Sequence, residues 1–162
     1  AETVDALNPG GPAALCKWPN DVLLGTGKIA GILLESEAGD GGEAAWVVVG
    51  VGVNLAGRPL DVERPAAALP EPKAPSAALE ILLPAFDRLV ARWRSEGFAP
   101  IRQAWLARAA GLGEPISVRL AHETIDGVFH GLDSDGVLLL DVGQGKSLRR
   151  ITAGDVFFAG EA

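Results

Sequence analysis

Gly27-Lys28-Ile29-Ala30-Gly31-Ile32-Leu33-Leu34-Glu35, the turn Ala38-Gly39-Asp40-Gly41-Gly42, and Ala45-Trp46-Val47-Val48-Val49-Gly50-Val51-Gly52-Val53-Asn54-Leu55 decide the architecture. Within them, Ile29 to Glu35 and Ala45 to Leu55 are rich in Ile, Val and Leu, are bounded by glycines and read as strands. The glycine-dense stretch between them has the composition of a hairpin connection. Val47-Val48-Val49 is continuously apolar, which predicts a strand buried on both faces. Working outward, Ala14 to Trp18 reads as a short strand that pairs with the hairpin. Glu2 to Leu7 reads as the tail of a helix stopped by Asn8-Pro9-Gly10. A start in mid-helix at Ala1-Glu2-Thr3, with no Met in the chain, leads us to expect less than a whole translated protein.

Downstream, Gly57 to Pro75 is crowded with prolines, which fix φ and remove backbone donors, so it reads as a surface loop. The period then becomes helical. Leu79, Leu82, Leu83, Phe86, Leu89, Val90 and Trp93 share one face, with Ser76 as N-cap, Gly97 as the stop and a bend expected at Pro84. A second helix starts near Pro100, carries Ile101, Trp105 and Ala109 inward, and ends at Gly111. Gly111 to Pro115 marks a boundary, giving domains 1–112 and 113–162. Beyond it, Ile116–Leu120, Thr124–Leu132, Val137–Asp141, Ser147–Ile151 and Val156–Phe158 read as short strands, with Val128, His130 and Leu132 in partial alternation. Asp133-Ser134-Asp135-Gly136 and Val142-Gly143-Gln144-Gly145 are their turns. Five short strands in about 50 residues suit a small SH3-like barrel. The fold class is therefore α+β, a mixed or antiparallel sheet with helices followed by that barrel.

Composition narrows the function. A 48% hydrophobic chain can build a packed core, and its single Cys16 excludes an internal disulfide framework. The longest apolar stretch, Ala44 to Gly57, is shorter than the ~20 residues a membrane span needs and contains Asn54. No signal peptide opens the chain, so a cytoplasmic setting is expected. A net charge of −7 gives no global pull toward nucleic acid or anionic lipid. Any anion must be held by a few placed Lys or Arg residues.

Three segments offer such groups. Lys17-Trp18-Pro19-Asn20-Asp21 is a turn former, but it also sets a cation, an amide and a carboxylate at a strand's exit. Lys28 opens an apolar strand. It is either an ordinary solvated lysine or a cation at the lip of a sheet, where a charge pair is worth more than in water. Gly31 would let a ligand approach the backbone. Gly50-Val51-Gly52-Val53-Asn54 leads into a Pro-rich loop and not a helix, so it is no dinucleotide fingerprint; its glycines mark a bulge or a close approach. Asn54 adds an amide able to read a base edge or a phosphate. Metal-ligand spacing is absent around His122, His130 and Cys16, and there is no G-x-S-x-G elbow.

Taken in order and spacing, Lys17-Trp18-Pro19-Asn20-Asp21, Lys28-Ile29-Ala30-Gly31-Ile32-Leu33-Leu34-Glu35 and Gly50-Val51-Gly52-Val53-Asn54-Leu55 resemble the core of the biotin protein ligases. The segment after Gly113, with Gly127 and Gly131-Leu132-Asp133-Ser134-Asp135-Gly136, resembles that family's C-terminal SH3-like domain. The resemblance implies a class II synthetase-like core, with biotin and ATP as substrates and Mg²⁺ accompanying the ATP. It also implies a biotin carboxyl-carrier domain of a biotin-dependent carboxylase as partner. Lys28 matches the family's lysine on the biotin carboxyl and the phosphate, Asn54 its nucleotide-side asparagine, and Asp21 an aspartate at the ATP end. Gly31 lets the ligand lie against the strand, while Lys17 and Asn20 support the loop or the phosphates. No residue is assigned as a metal ligand.

The family's Gly/Arg-rich loop over biotin does not occur in these residues, so the chain alone is expected to be a poor ligase or none. Without a helix-turn-helix, DNA binding is not expected, and exposed strand edges would suit homodimer formation. Two other readings stand beside this one: a non-catalytic module that binds a nucleotide or a carrier domain, and a relative that uses lipoate.

Overall fold

A computed structural model of the chain describes residues 1–39, 41, 43–60, 62, 64–143 and 148–158. Asp40, Gly42, Gln144, Gly145 and Ser147, which the sequence places in turns and at a strand start, lie outside the described residues. The first sheet is an antiparallel meander in the order β1 (Leu15–Lys17), β2 (Asp21–Leu24), β3 (Gly27–Ala38), β4 (Ala44–Val53). Helix α1 (Glu2–Leu7) precedes it; α2 (Pro75–Glu96) and α3 (Ala99–Leu106) follow. The second sheet runs β8 (Arg149–Ile151), β7 (Leu138–Asp141), β6 (Thr124–Leu132), β5 (Pro115–Arg119), β9 (Asp155–Phe158), antiparallel throughout. The architecture is α+β with an SH3-like second sheet.

Several expectations are corrected. Strand β2 falls within and just after the segment read as a turn, and Ala14–Trp18 reaches the hairpin only through it. Its four residues are too few to show a period. Val47, Val48 and Val49 are 52%, 54% and 39% exposed, not buried on both faces. They lie on β4, the last strand of the sheet, and among the described residues nothing covers them. Gly50 and Gly52 sit in unbroken register opposite Leu33 and Gly31, so neither marks a bulge. Helix α2 starts at Pro75 with Ala74 as N-cap, and Ser76 caps nothing, because proline's fixed φ already suits the first helical position. Its buried side is rotated from the expected stripe: Ala78 enters the core with Ile81 beside it, while Leu79, Leu83, Phe86 and Trp93 are exposed. In β6 a register shift between Phe129 and Gly131 breaks the alternation, so Phe129 and Leu132 are buried while Val128 is exposed.

Two cores result. Val4, Leu7, Ala14, Val22, Ile29, Ala30, Leu69 and Ala78 form one beneath the first sheet. The other gathers Ile116, Val118, Phe129, Leu132, Leu138, Leu140, Ile151 and Val156 from the second sheet, and Trp18, from the turn after β1, joins it. Trp105 of α3 meets Phe129 edge to face at 6.4 Å. The free edge of β1 is satisfied by the segment after α3: the Cys16 N–H donates to the Arg108 carbonyl and the Ala110 N–H to the Cys16 carbonyl.

Helix α1 is held by Asp5, whose Oδ1 accepts the Ala14 N–H (2.7 Å) and whose Oδ2 accepts from Arg108 Nη1 (2.6 Å). Burial alone would favour the neutral acid. The Ala14 N–H and the Arg108 guanidinium outweigh it and keep the Asp5 carboxyl below its ordinary range. A depressed carboxylate contributes stability above its unfolded pKa and loses it as pH falls through the folded value. Asp5→Asn is therefore expected to lower the urea midpoint at pH 7 and to flatten its fall below about pH 4. An unchanged acid limb would remove Asp5 from the account.

Candidate functional site

The site grows from an irregularity in the β2–β3 pairing. Asp21 faces Gly31 and Val22 faces Ala30, but Leu23 faces Lys28, so Ile29 is an extra residue on β3. Such a bulge reverses the phase of the side chains. Ile29 and Ala30 are both buried as a consequence, and Lys28 and Gly31 come to lie together. Lys28 Nζ reaches Asp21 Oδ1 at 2.6 Å, the lysine half exposed and the aspartate 11% exposed. A Cβ on Gly31 would stand 3.1 Å from Lys28 Nζ, so the space above this glycine is taken by the ammonium.

A cleft of about 610 Å³ opens beside the pair, lined by Asp21, Lys28, Gly31, Gly52, Asn54 and Arg64 with apolar Ile29, Val53 and Val62. Asn54 follows β4 and is committed to the chain: its Nδ2 donates to the Ala67 carbonyl (2.8 Å) and more weakly to that of Lys28 (3.4 Å). Its backbone N–H donates to the Ile29 carbonyl, and its own carbonyl accepts from Leu69. Asn54 therefore fastens residues 65–69 along β3.

The Lys-Trp-Pro-Asn-Asp segment divides by direction. Lys17 is 4% exposed with its Nζ 4.7 Å from the centre of the Phe158 ring, and Trp18 is in the core of the second sheet. Asn20 Nδ2 donates to the Ile32 carbonyl, and its own carbonyl accepts from the Ile32 N–H. Of this segment, Asp21 alone lines the cleft; Lys17 and Asn20 do not. Sequence reasoning passed over Arg64, which lines the cleft from the Pro-rich loop. It stands beside Pro65, outside every motif singled out, so no local signal in the sequence marks it.

Gly27 is needed for close approach. A Cβ there would lie 2.8 Å from the Ala67 nitrogen and 2.9 Å from the Ala66 carbonyl carbon, and backbone cannot yield cheaply. Gly27→Ala is expected to cost about 1–3 kcal/mol in urea unfolding as residues 66–67 are pushed off β3. A wild-type midpoint would contradict this.

Among the described residues no group of three or more His, Cys, Asp or Glu side chains could hold a metal ion. Asp21 is the carboxylate that lines the cleft, and it is already paired with Lys28.

The Biotin/lipoate A/B protein ligase family model matches residues 1–54, and the Biotin protein ligase C terminal domain model matches residues 111–159. A biotin–[acetyl-CoA-carboxylase] ligase of Paracoccus denitrificans is 48% identical over 161 residues, covering 93% of this chain and 66% of the relative. The bifunctional ligase/repressor BirA of Bacillus subtilis (strain 168) is 29% identical over 148 residues, 86% of this chain and 45% of that protein. The apo structure of biotin protein ligase from Aquifex aeolicus superposes with a TM-score of 0.80 at 20% identity, covering 98% of this chain and 70% of that one. The same enzyme in complex with biotin and ATP gives 0.75 at 20% identity, over 96% and 65%. The chain belongs to the biotin protein ligase family. It spans about two-thirds of the Paracoccus relative's length and under half of the Bacillus one's.

Proposed function

We propose that this chain supplies the lysine side of an adenylation site that activates biotin with ATP and passes it to a lysine of a biotin carboxyl-carrier domain. The observation that carries the reading is Lys28, held by Asp21 above Gly31 at the mouth of the cleft. In the first step a biotin carboxylate oxygen bonds to the α-phosphorus of ATP while the bond to the leaving pyrophosphate breaks. Two anions must meet, and an ammonium beside the reacting oxygens lowers that barrier by about 3–4 kcal/mol. Asp21 keeps the ammonium aimed, and Asn54 with residues 65–69 fixes the wall beside it. In the second step the carrier's lysine amine attacks the acyl carbon, AMP leaves, and an amide forms with loss of a proton. Mg²⁺, where bound, neutralises phosphate charge; Asp21 is the carboxylate that could touch it.

Biotin-dependent ATP/pyrophosphate exchange tests the reading, because a pure nucleotide- or carrier-binding module shows none. Titration with biotin and with lipoate separates the two acids, and the biotin ligase relatives favour biotin. The exposed outer strand, with Trp46, Val47, Val48 and Val51 at 41–54% exposure, supports association with a second copy. No helix among the described residues is long and apolar enough to cross a membrane.

A further inference from the structure

We propose that Arg64 is a positioning residue through which the second sheet holds Lys28 and Asn54 in place. The connection is continuous and short. The Arg64 guanidinium carbon lies 4.2 Å from the centre of the Phe157 ring on β9, and Arg119 of β5 stacks on the same ring at 4.2 Å. Arg64 Nη2 also pairs with Asp155 Oδ1 at 3.4 Å. Phe157 is 4% exposed, so the ring is a fixed platform. Cation–π contact of this kind gains strength when desolvated. Arg64 Nε is buried without a hydrogen-bond partner among the described residues, a cost that the stacking and the ion pair offset.

One residue further, the chain reaches the candidate site. The Pro65 carbonyl accepts the Lys28 N–H (2.8 Å), and the Ala67 N–H donates to the Lys28 carbonyl (2.8 Å). Asn54 Nδ2 donates to the Ala67 carbonyl, and the Leu69 N–H to the Asn54 carbonyl (3.1 Å). Both backbone groups of Lys28 are therefore held by a segment whose near end is pinned to the other sheet. Arg64 is stacked and paired already, so its role is to hold this segment and not to leave it for a ligand. A double-mutant cycle measures the coupling along this path.

The test is amide hydrogen exchange at Lys28 and Ala67 in the wild type, Arg64→Ala, Phe157→Leu and the double variant. Each single change is expected to speed exchange at both amides about tenfold, with the double no faster than either, and Arg64→Lys is expected to recover part of the protection. Unchanged exchange in Phe157→Leu, or single effects that multiply, would overturn the proposal. Should Phe157→Leu fail to fold, Asp155→Asn replaces it in the cycle, with a smaller rise expected and no rise overturning the proposal.

The kinetic arm rests on the adenylation reading. In the enzyme from its full reading frame, Arg64→Ala and Phe157→Leu are expected to lower kcat of pyrophosphate exchange by the same factor, and Arg64→Lys to restore part of it. A wild type without exchange would count against adenylation and leave the amide result to decide the role of Arg64.

Discussion

Lys28→Ala, made in the enzyme expressed from its full reading frame, is expected to slow biotin-dependent pyrophosphate exchange by roughly 10²–10³-fold while the fold persists. The side chain is half exposed and stands at the lip of the cleft, so its removal opens no cavity in either core. What it removes is the cation that lets a carboxylate approach a polyphosphate. The cost to stability falls on Asp21, 11% exposed and left without its ion partner, and water entering the space that the half-exposed lysine vacates holds it to about 1 kcal/mol. Lys28→Arg keeps the charge but replaces a point ammonium by a planar fork on a different arm, and should recover only part of the rate. Circular dichroism and a urea curve close to wild type, beside a collapsed exchange rate, are the expected pair of results. Exchange within a few-fold of wild type would take Lys28 out of the chemistry and with it the proposed function.

How far the sequence revealed this arrangement depends on whether a residue's signal is local. The β3–β4 hairpin and the five strands after Gly113 were legible because Val, Ile and Leu runs between glycines leave little else for the chain to form. The Lys28–Asp21 pair is not a local property. Seven positions apart, the two meet only because the extra residue at Ile29 turns Lys28 toward Gly31, and no pattern in the apolar residues announces that bulge. The valines of β4 mislead for a related reason. A continuous apolar run states a demand for burial without naming what meets it, and here the described residues leave it open. Arg64 was hidden by its setting, since prolines mark a loop without saying where its one stacked cation points. Motif resemblance filled part of this gap. It placed Lys17 and Trp18 beside Asp21, although the two groups serve opposite directions.

Trp18 carries the second large effect. Trp18→Ala is expected to destabilise the chain by about 3–5 kcal/mol, the usual cost of removing a buried Trp. The indole is 7% exposed and comes from the turn between β1 and β2 into the core of the second sheet, with Val118, Phe129, Leu138 and Leu140. Its Nε1 also donates to the Gly136 carbonyl at a long 3.4 Å, so packing carries most of the effect. Lys17 beside it lies on the Phe158 ring, and Trp105 and Ala109 approach the same core from the helical side. Removing the indole thus opens a cavity at the join, where neither sheet alone can collapse to fill it. Urea unfolding should show a lower midpoint, and tryptophan-independent probes of the two sheets should separate into two transitions where the wild type has one. Trp18→Phe, which keeps an apolar ring but loses the Nε1 donor, should cost less than half as much. A Trp18→Ala loss below about 1 kcal/mol, with the two sheets still unfolding together, would mean that the join is held elsewhere.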